Sequence, residues 1–184
     1  MSAVTKIRLD YNDLQHFPDD GKRHELIDGD HIMTPSPNTA HQWASGNLFA
    51  LLHANISRRN LGRVFAAPFD VVFSPYDVVE PDILFISNER VGILTLNNVQ
   101  GAPDLVVEVI SPNTETVDRQ EKFHLYEKFG VLEYWIVDPS AETAEVYSLH
   151  DQHFISLGRF SGDETIQSRV LSGFECRISE VFGQ

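Results

Sequence analysis

Six consecutive residues, Leu105-Val106-Val107-Glu108-Val109-Ile110, constrain this chain most, because five apolar side chains surround a single carboxylate. A run that is apolar at both alternating positions has no polar face to turn to water, so it reads as a central strand covered on both sides. Glu108 then lies where an isolated charge is costly unless it is neutralised, paired or bound to a metal. The situation recurs at Asp82, which follows Pro81 at the head of Ile83-Leu84-Phe85-Ile86. Side chains alternate along a strand, so Glu108 shares a face with Asp104, Val106 and Ile110, and Asp82 shares one with Leu84 and Ile86. If the two strands pair, their carboxylates meet near one edge.

The rest of the chain supplies the layers that would cover such a sheet. Residues 10–20 read as a short helix and a loop, and Asp28-Gly29 suits the type I′ turn of a hairpin between the 24–27 and 30–33 segments. Thr39 is a candidate N-cap for a helix running to about Asn60, with Ala44, Leu48, Leu51, Leu52 and Ile56 at helical spacing and Gly62 closing it. Strands are expected over 63–73, broken by Pro68, then over 80–86 and 105–110. Asn113 or Thr114 caps a further helix that ends at Gly130. Strands follow at 133–137, 143–149 and 154–157, giving one α/β unit without repeat or linker.

That last helix contributes the third unusual charge. Residues 118, 122, 125, 126 and 129 recur at three-to-four spacing, which puts Asp118 and Lys122 in one stripe with Leu125, Tyr126 and Phe129. Lys122 therefore points inward among apolar neighbours and requires a counter-charge.

Composition bounds the partners. At 184 residues and 42% hydrophobic content the chain is expected to form a single domain spanning 1–184 around one core. No uncharged apolar run approaches the roughly 20 residues of a membrane helix, and residues 1–6 lack a secretory apolar stretch, so a soluble, cytoplasmic protein without membrane partners is expected. Cys176 is the only cysteine, which excludes an internal disulfide and a cysteine zinc cage. Against 14 Lys plus Arg stand 27 Asp plus Glu, a net −13, and no basic run exceeds Arg58-Arg59. Strong non-specific DNA binding by counterion release is not expected, although a bound divalent cation would offset the repulsion locally. The eight histidines form no metal-binding pair at helical spacing and read as surface or capping residues. Trp43 and Trp135 read as core aromatics. No phosphate loop, nucleophile elbow or His-Glu-x-x-His helix is present.

Several segments in order carry a resemblance: Glu25-Leu26-Ile27-Asp28-Gly29, Pro81-Asp82, Pro103-Asp104 through Ser111-Pro112, Asp118 with Lys122 and Tyr126, and Gly130 through Asp138-Pro139. Together they resemble the Uma2 family of restriction-endonuclease-like proteins. The resemblance implies a PD-(D/E)XK nuclease core, a mixed β-sheet flanked by helices, here with an added N-terminal hairpin. It also implies a metal site where the Pro-Asp and Glu strands adjoin. One departure stands out: the superfamily lysine two positions after the strand glutamate is Ile110 here, and Lys122 is the candidate to replace its ammonium.

Asp82 and Glu108 offer hard oxygen ligands for Mg2+ or Mn2+, Lys122 a charge to orient water or stabilise the transition state, and Glu25 or, second to it, Asp118 a further ligand or base. The implied activity is metal-dependent hydrolysis of DNA phosphodiesters, with weak DNA affinity without metal. A homodimer is expected because two symmetric sites serve both strands of a duplex. Two alternatives stand beside it. One is a non-catalytic interaction module that keeps the nuclease fold; the other is a metal-dependent phosphohydrolase of a small molecule, which a narrow pocket would favour. A broad groove with Arg58, Arg59 and Arg63 nearby would instead favour DNA.

Overall fold

The computed structural model describes residues 7–183, so residues 1–6, on which the expectation of no secretory segment partly rests, lie outside it. In chain order the elements begin with α1 (Tyr11–Leu14), β1 (Arg23–Ile27), β2 (Asp30–Thr34), α2 (Thr39–Arg59) and β3 (Gly62–Ala66). Next come β4 (Val71–Ser74), β5 (Asp77–Val79), β6 (Ile83–Ser87), β7 (Val99–Gln100) and β8 (Leu105–Val109). A π-helical segment (Val117–Lys122) leads directly into α3 (Phe123–Phe129). The chain closes with β9 (Glu133–Asp138), β10 (Thr143–His150), β11 (His153–Ser161), β12 (Thr165–Gln167), β13 (Glu175–Arg177) and α4 (Ile178–Phe182).

The central sheet has the order β11-β10-β9-β8-β6-β3 and is mixed, since β8 runs parallel to β9 and antiparallel to β6. All five residues of β8 are buried, as a strand apolar on both faces requires. One face meets α2, whose Ala44, Leu48, Leu52 and Ile56 pack with Ile83, Phe85, Leu105 and Val107. On the other face Leu84, Val106 and Ile110 pack with Leu125 and Tyr126 of α3 and with Val71, Val79 and Val99. The mixed sheet flanked by helices is thus the expected architecture.

Several features differ from what the sequence predicts. The hairpin is no appendage: β1 and β2 join β5, β4 and β7 in a second, five-stranded sheet. The apolar run 63–73 is split between the two sheets, because β3 pairs with β6 while β4 pairs with β5. Asn38, not Thr39, caps α2, its side chain accepting from the His41 amide, and Asn60 rather than Gly62 takes the left-handed position that ends the helix (φ 52°). Trp135 is fully buried, whereas Trp43 is half exposed and donates its indole N–H to the Gly183 carbonyl, so it is not a core residue. Cys176 is buried, as a small apolar side chain would be. Among the described residues no helix is long and apolar enough to cross a membrane.

Candidate metal centre and its charge balance

The register between β6 and β8 brings the two strand carboxylates together. Ile83 pairs with Val107, so Asp82 and Glu108 are the next opposed positions, and the Asp82 Oδ2 accepts from the Val109 amide at 2.8 Å. Asp82 sits just before its strand, at the edge that the first turn of α2 also reaches. There His41 Nε2 lies 3.1 Å from the same Oδ2. Arg23, on β1, donates from Nη1 to Oδ1 at 2.7 Å. Burial works to raise the Asp82 pKa, but the His41 hydrogen bond and the Arg23 charge outweigh it and hold the carboxyl below its ordinary value.

Glu108 is served from α3 and the π-helical segment before it. Its Oε1 accepts from Lys122 Nζ at 3.1 Å and from the Tyr126 hydroxyl at 2.6 Å. No donor among the described residues reaches its Oε2. Lys122 Nζ is held by three carboxylates: Glu25 at 2.8 Å, Glu108 at 3.1 Å and Asp118 at 3.7 Å. Burial alone would lower the lysine pKa, but those three neighbours raise it well above the ordinary range, so the side chain stays an ammonium. Glu108 moves the other way from a free carboxyl: burial and the nearby Asp118, Asp82 and Glu25 charges push it well up despite Lys122. Asp118 is raised to about 6, chiefly by burial, with Lys122 opposing the shift.

Four buried carboxylates, Glu25, Asp82, Glu108 and Asp118, face two cations, Arg23 and Lys122, leaving two negative charges uncompensated if all ionise and His41 is neutral. Such a site must either hold protons or bind a cation. A cavity of about 260 Å³ opens onto it, lined by Asp82, Glu108, Asp118, Lys122, Arg23 and His41 and walled by the 34–38 and 111–114 segments. The donor set fits a hard divalent cation: all-oxygen, excess negative charge, and a Glu108 oxygen without a partner. Asp82 and Glu108, with Asp118 beside them, are the residues that would hold it.

The sequence-singled residues therefore converge, with changes of emphasis. Glu25 is buried, its Oε1 also accepts from the Glu80 amide at 2.7 Å, and it does not line the cavity, so it stands behind Lys122. Asp104 is buried at the far end of β8, accepting from the Ser87 amide. Arg58 and Arg59 lie at the far end of α2, about 25 Å from His41 by helix rise. Arg59 donates to the Ser172 carbonyl. Arg63 pairs with Ile86 on an edge strand, away from Asp82. None of the three lines the cavity.

Two site residues escaped the sequence reading, Arg23 and His41. His41 did carry a signal: it precedes Ala44 and Leu48 on the apolar stripe of α2, where a polar ring needs a partner. Arg23 carried a weaker one, its alternation with Glu25 on the same face of β1.

The sequence matches a family model described as "Uma2: Putative restriction endonuclease" over residues 10–179. Among solved structures, a protein described as a "putative nuclease" of the DUF820 group from Anabaena variabilis superposes with a TM-score of 0.79 at 19% identity, covering 95% of this chain and 97% of that one. At that identity the likeness shows the shared fold. No curated protein matches the chain.

Proposed function

The chain belongs to the Uma2 family, and from that premise we propose that it is a divalent-metal-dependent endonuclease hydrolysing DNA phosphodiester bonds. The observation that carries this reading is the charge deficit around Asp82 and Glu108 in a cavity at the edge of two adjoining strands. Mg2+ or Mn2+, held there, would supply Lewis-acid polarisation of the phosphodiester and a more acidic water.

The chain's own residues take distinct parts. Lys122, kept cationic by its three carboxylates, acts as a donor to negative charge developing at phosphorus and not as a base. Glu25 and Tyr126 fix the Lys122–Glu108 pair from behind. Asp118 lines the cavity, where Glu25 does not, and replaces Glu25 as the water-positioning base we assign. Cutting both strands is served by a homodimer with two symmetric sites.

The size of the cavity favours a second reading, hydrolysis of a small phosphodiester, because about 260 Å³ admits one phosphate-bearing group and not a duplex. Incubation with supercoiled plasmid and with bis(p-nitrophenyl) phosphate tests both. The expected result is plasmid nicking or linearisation with Mg2+ that stops with EDTA and in Glu108→Gln. Cleavage of the small ester alone would select the second reading. Inertness toward both at saturating Mn2+ would leave the non-catalytic interaction module.

A further inference from the structure

Only two side chains that line the cavity are permanent cations, Arg23 and Lys122, and they are in different states of engagement. Lys122 lies against Glu25 at 2.8 Å and Glu108 at 3.1 Å, with Asp118 3.7 Å away, so most of its charge is already met by carboxylates. The guanidinium of Arg23 uses only Nη1, on Asp82 Oδ1 at 2.7 Å and, more weakly, on the Glu80 carbonyl at 3.3 Å. Its Nε and Nη2 carry no partner among the described residues, and the side chain is 20% exposed. Three N–H donors in a planar fork are thus left unengaged at the mouth of an acidic cavity, an arrangement that matches two oxygens of a phosphate.

The oxygen that Arg23 holds is also the one a metal needs. Asp82 Oδ2 already accepts from the Val109 amide and from His41, so Oδ1 is the oxygen left for a cation. A guanidinium and a divalent ion repel one another, so they compete for it at close range. Arg23 is anchored by its backbone in β1, on the same strand face as Glu25, so a side chain displaced from Asp82 stays over the cavity.

We infer that Arg23 is the substrate-anchoring residue of the site, held by Asp82 until a divalent cation takes that carboxylate and then handed to the phosphate of the substrate. The inference rests on the metal-dependent reading above. It makes metal and phosphate binding mutually supportive, because the ion frees the fork that grips the anion.

Calorimetric titration of the full chain and of Arg23→Gln tests it, with Mn2+ alone and then with thymidine 5′-monophosphate at saturating Mn2+. Removing the competing charge should tighten Mn2+ binding about tenfold, and losing a charge-assisted fork should weaken nucleotide binding about tenfold or more. Arg23→Lys, which keeps the charge but not the fork, should leave Mn2+ affinity near that of the wild type and still weaken the nucleotide. A merely structural Arg23 moves these readouts otherwise: Arg23→Gln would bind Mn2+ no tighter and the nucleotide equally well, and that result overturns the hand-over. Failure of the wild type to bind Mn2+ would overturn the metal-dependent reading itself, whereas Mn2+ binding without the opposed changes overturns the hand-over alone. Should the variants not fold, the Nε–H resonance of Arg23 in the wild type decides: it should shift as Mg2+ is added and again with the nucleotide. A resonance unmoved at saturating Mg2+ overturns the inference.

Discussion

Lys122 is the residue on which the site turns electrostatically, since three buried carboxylates depend on its ammonium. Lys122→Met keeps the stem and strands Glu25, Glu108 and Asp118, so it should destabilise the fold by about 3 kcal/mol or more at neutral pH. Loss of a transition-state donor should also slow cleavage by about 100-fold. Urea unfolding and plasmid nicking read the two effects separately, and an unchanged variant in both would exclude either role. The same crowding of carboxylates sets a pH dependence. Asp118, raised to about 6, Glu80, raised to about 7, and Glu108, raised well above its ordinary value, all bind protons more tightly folded than unfolded. Their contribution is present at acid pH below the unfolded values and is lost as pH rises through the folded ones. Asp82, lowered, acts in the opposite sense, its contribution lost only as pH falls below its ordinary value. Without metal, the urea midpoint should therefore fall as pH rises from about 5 to about 7.5, and saturating Mg2+ should close the gap. A metal-free midpoint that rises over that range would contradict the charge balance. Asp82, Glu108 and Lys122 were legible because an ion inside an apolar pattern stands out. Arg23 was much less so, because in the polar stretch Lys22-Arg23-His24-Glu25 its alternation with Glu25 is the one local sign that it faces the same side.

Among the elements, β8 and α2 could be read from periodicity because each is covered in a regular way: β8 on both faces, α2 along one stripe. The pairing of strands could not. Alternation tells which side chains share a face, but not that β3 belongs with β6 while β4, a few residues on, belongs with β5. The π-helical segment over Val117–Lys122 was equally hidden, since Asp118 and Lys122 fall on one face whether the turn is α or π. Gly62 shows the same kind of non-local constraint. It reads as a helix terminator, yet it lies in β3, where an added Cβ would sit 2.2 Å from the Ile86 carbonyl oxygen on the neighbouring strand. Gly62→Ala must push β3 from β6 and should cost about 2 kcal/mol or more, seen as a lowered Tm. An unchanged Tm would mean that this edge of the sheet yields freely.

For the whole molecule, the net charge of −13 and the position of the arginines act together. Arg58, Arg59 and Arg63 do not line the cavity, so these three, among the described residues, do not supply a basic rim for binding a duplex by counterion release. DNA affinity should accordingly be weak in EDTA and rise when Mg2+ is added, and tight metal-independent binding at physiological salt would contradict this. The five-stranded sheet, unforeseen as a layer, proves essential to the arrangement: it carries Arg23 and Glu25 to a centre that the six-stranded sheet and α3 build from the other side. Family and fold were legible from ordered motifs; the charge balance was not, because it depends on partners brought together from separate sheets and helices. The central claim, that this imbalance is a divalent-cation site held by Asp82 and Glu108, is tested most directly by calorimetric titration with Mn2+. Binding should be present in the wild type and lost in Asp82→Ala and Glu108→Ala variants whose fold is verified by circular dichroism; undiminished binding in both folded variants would contradict it.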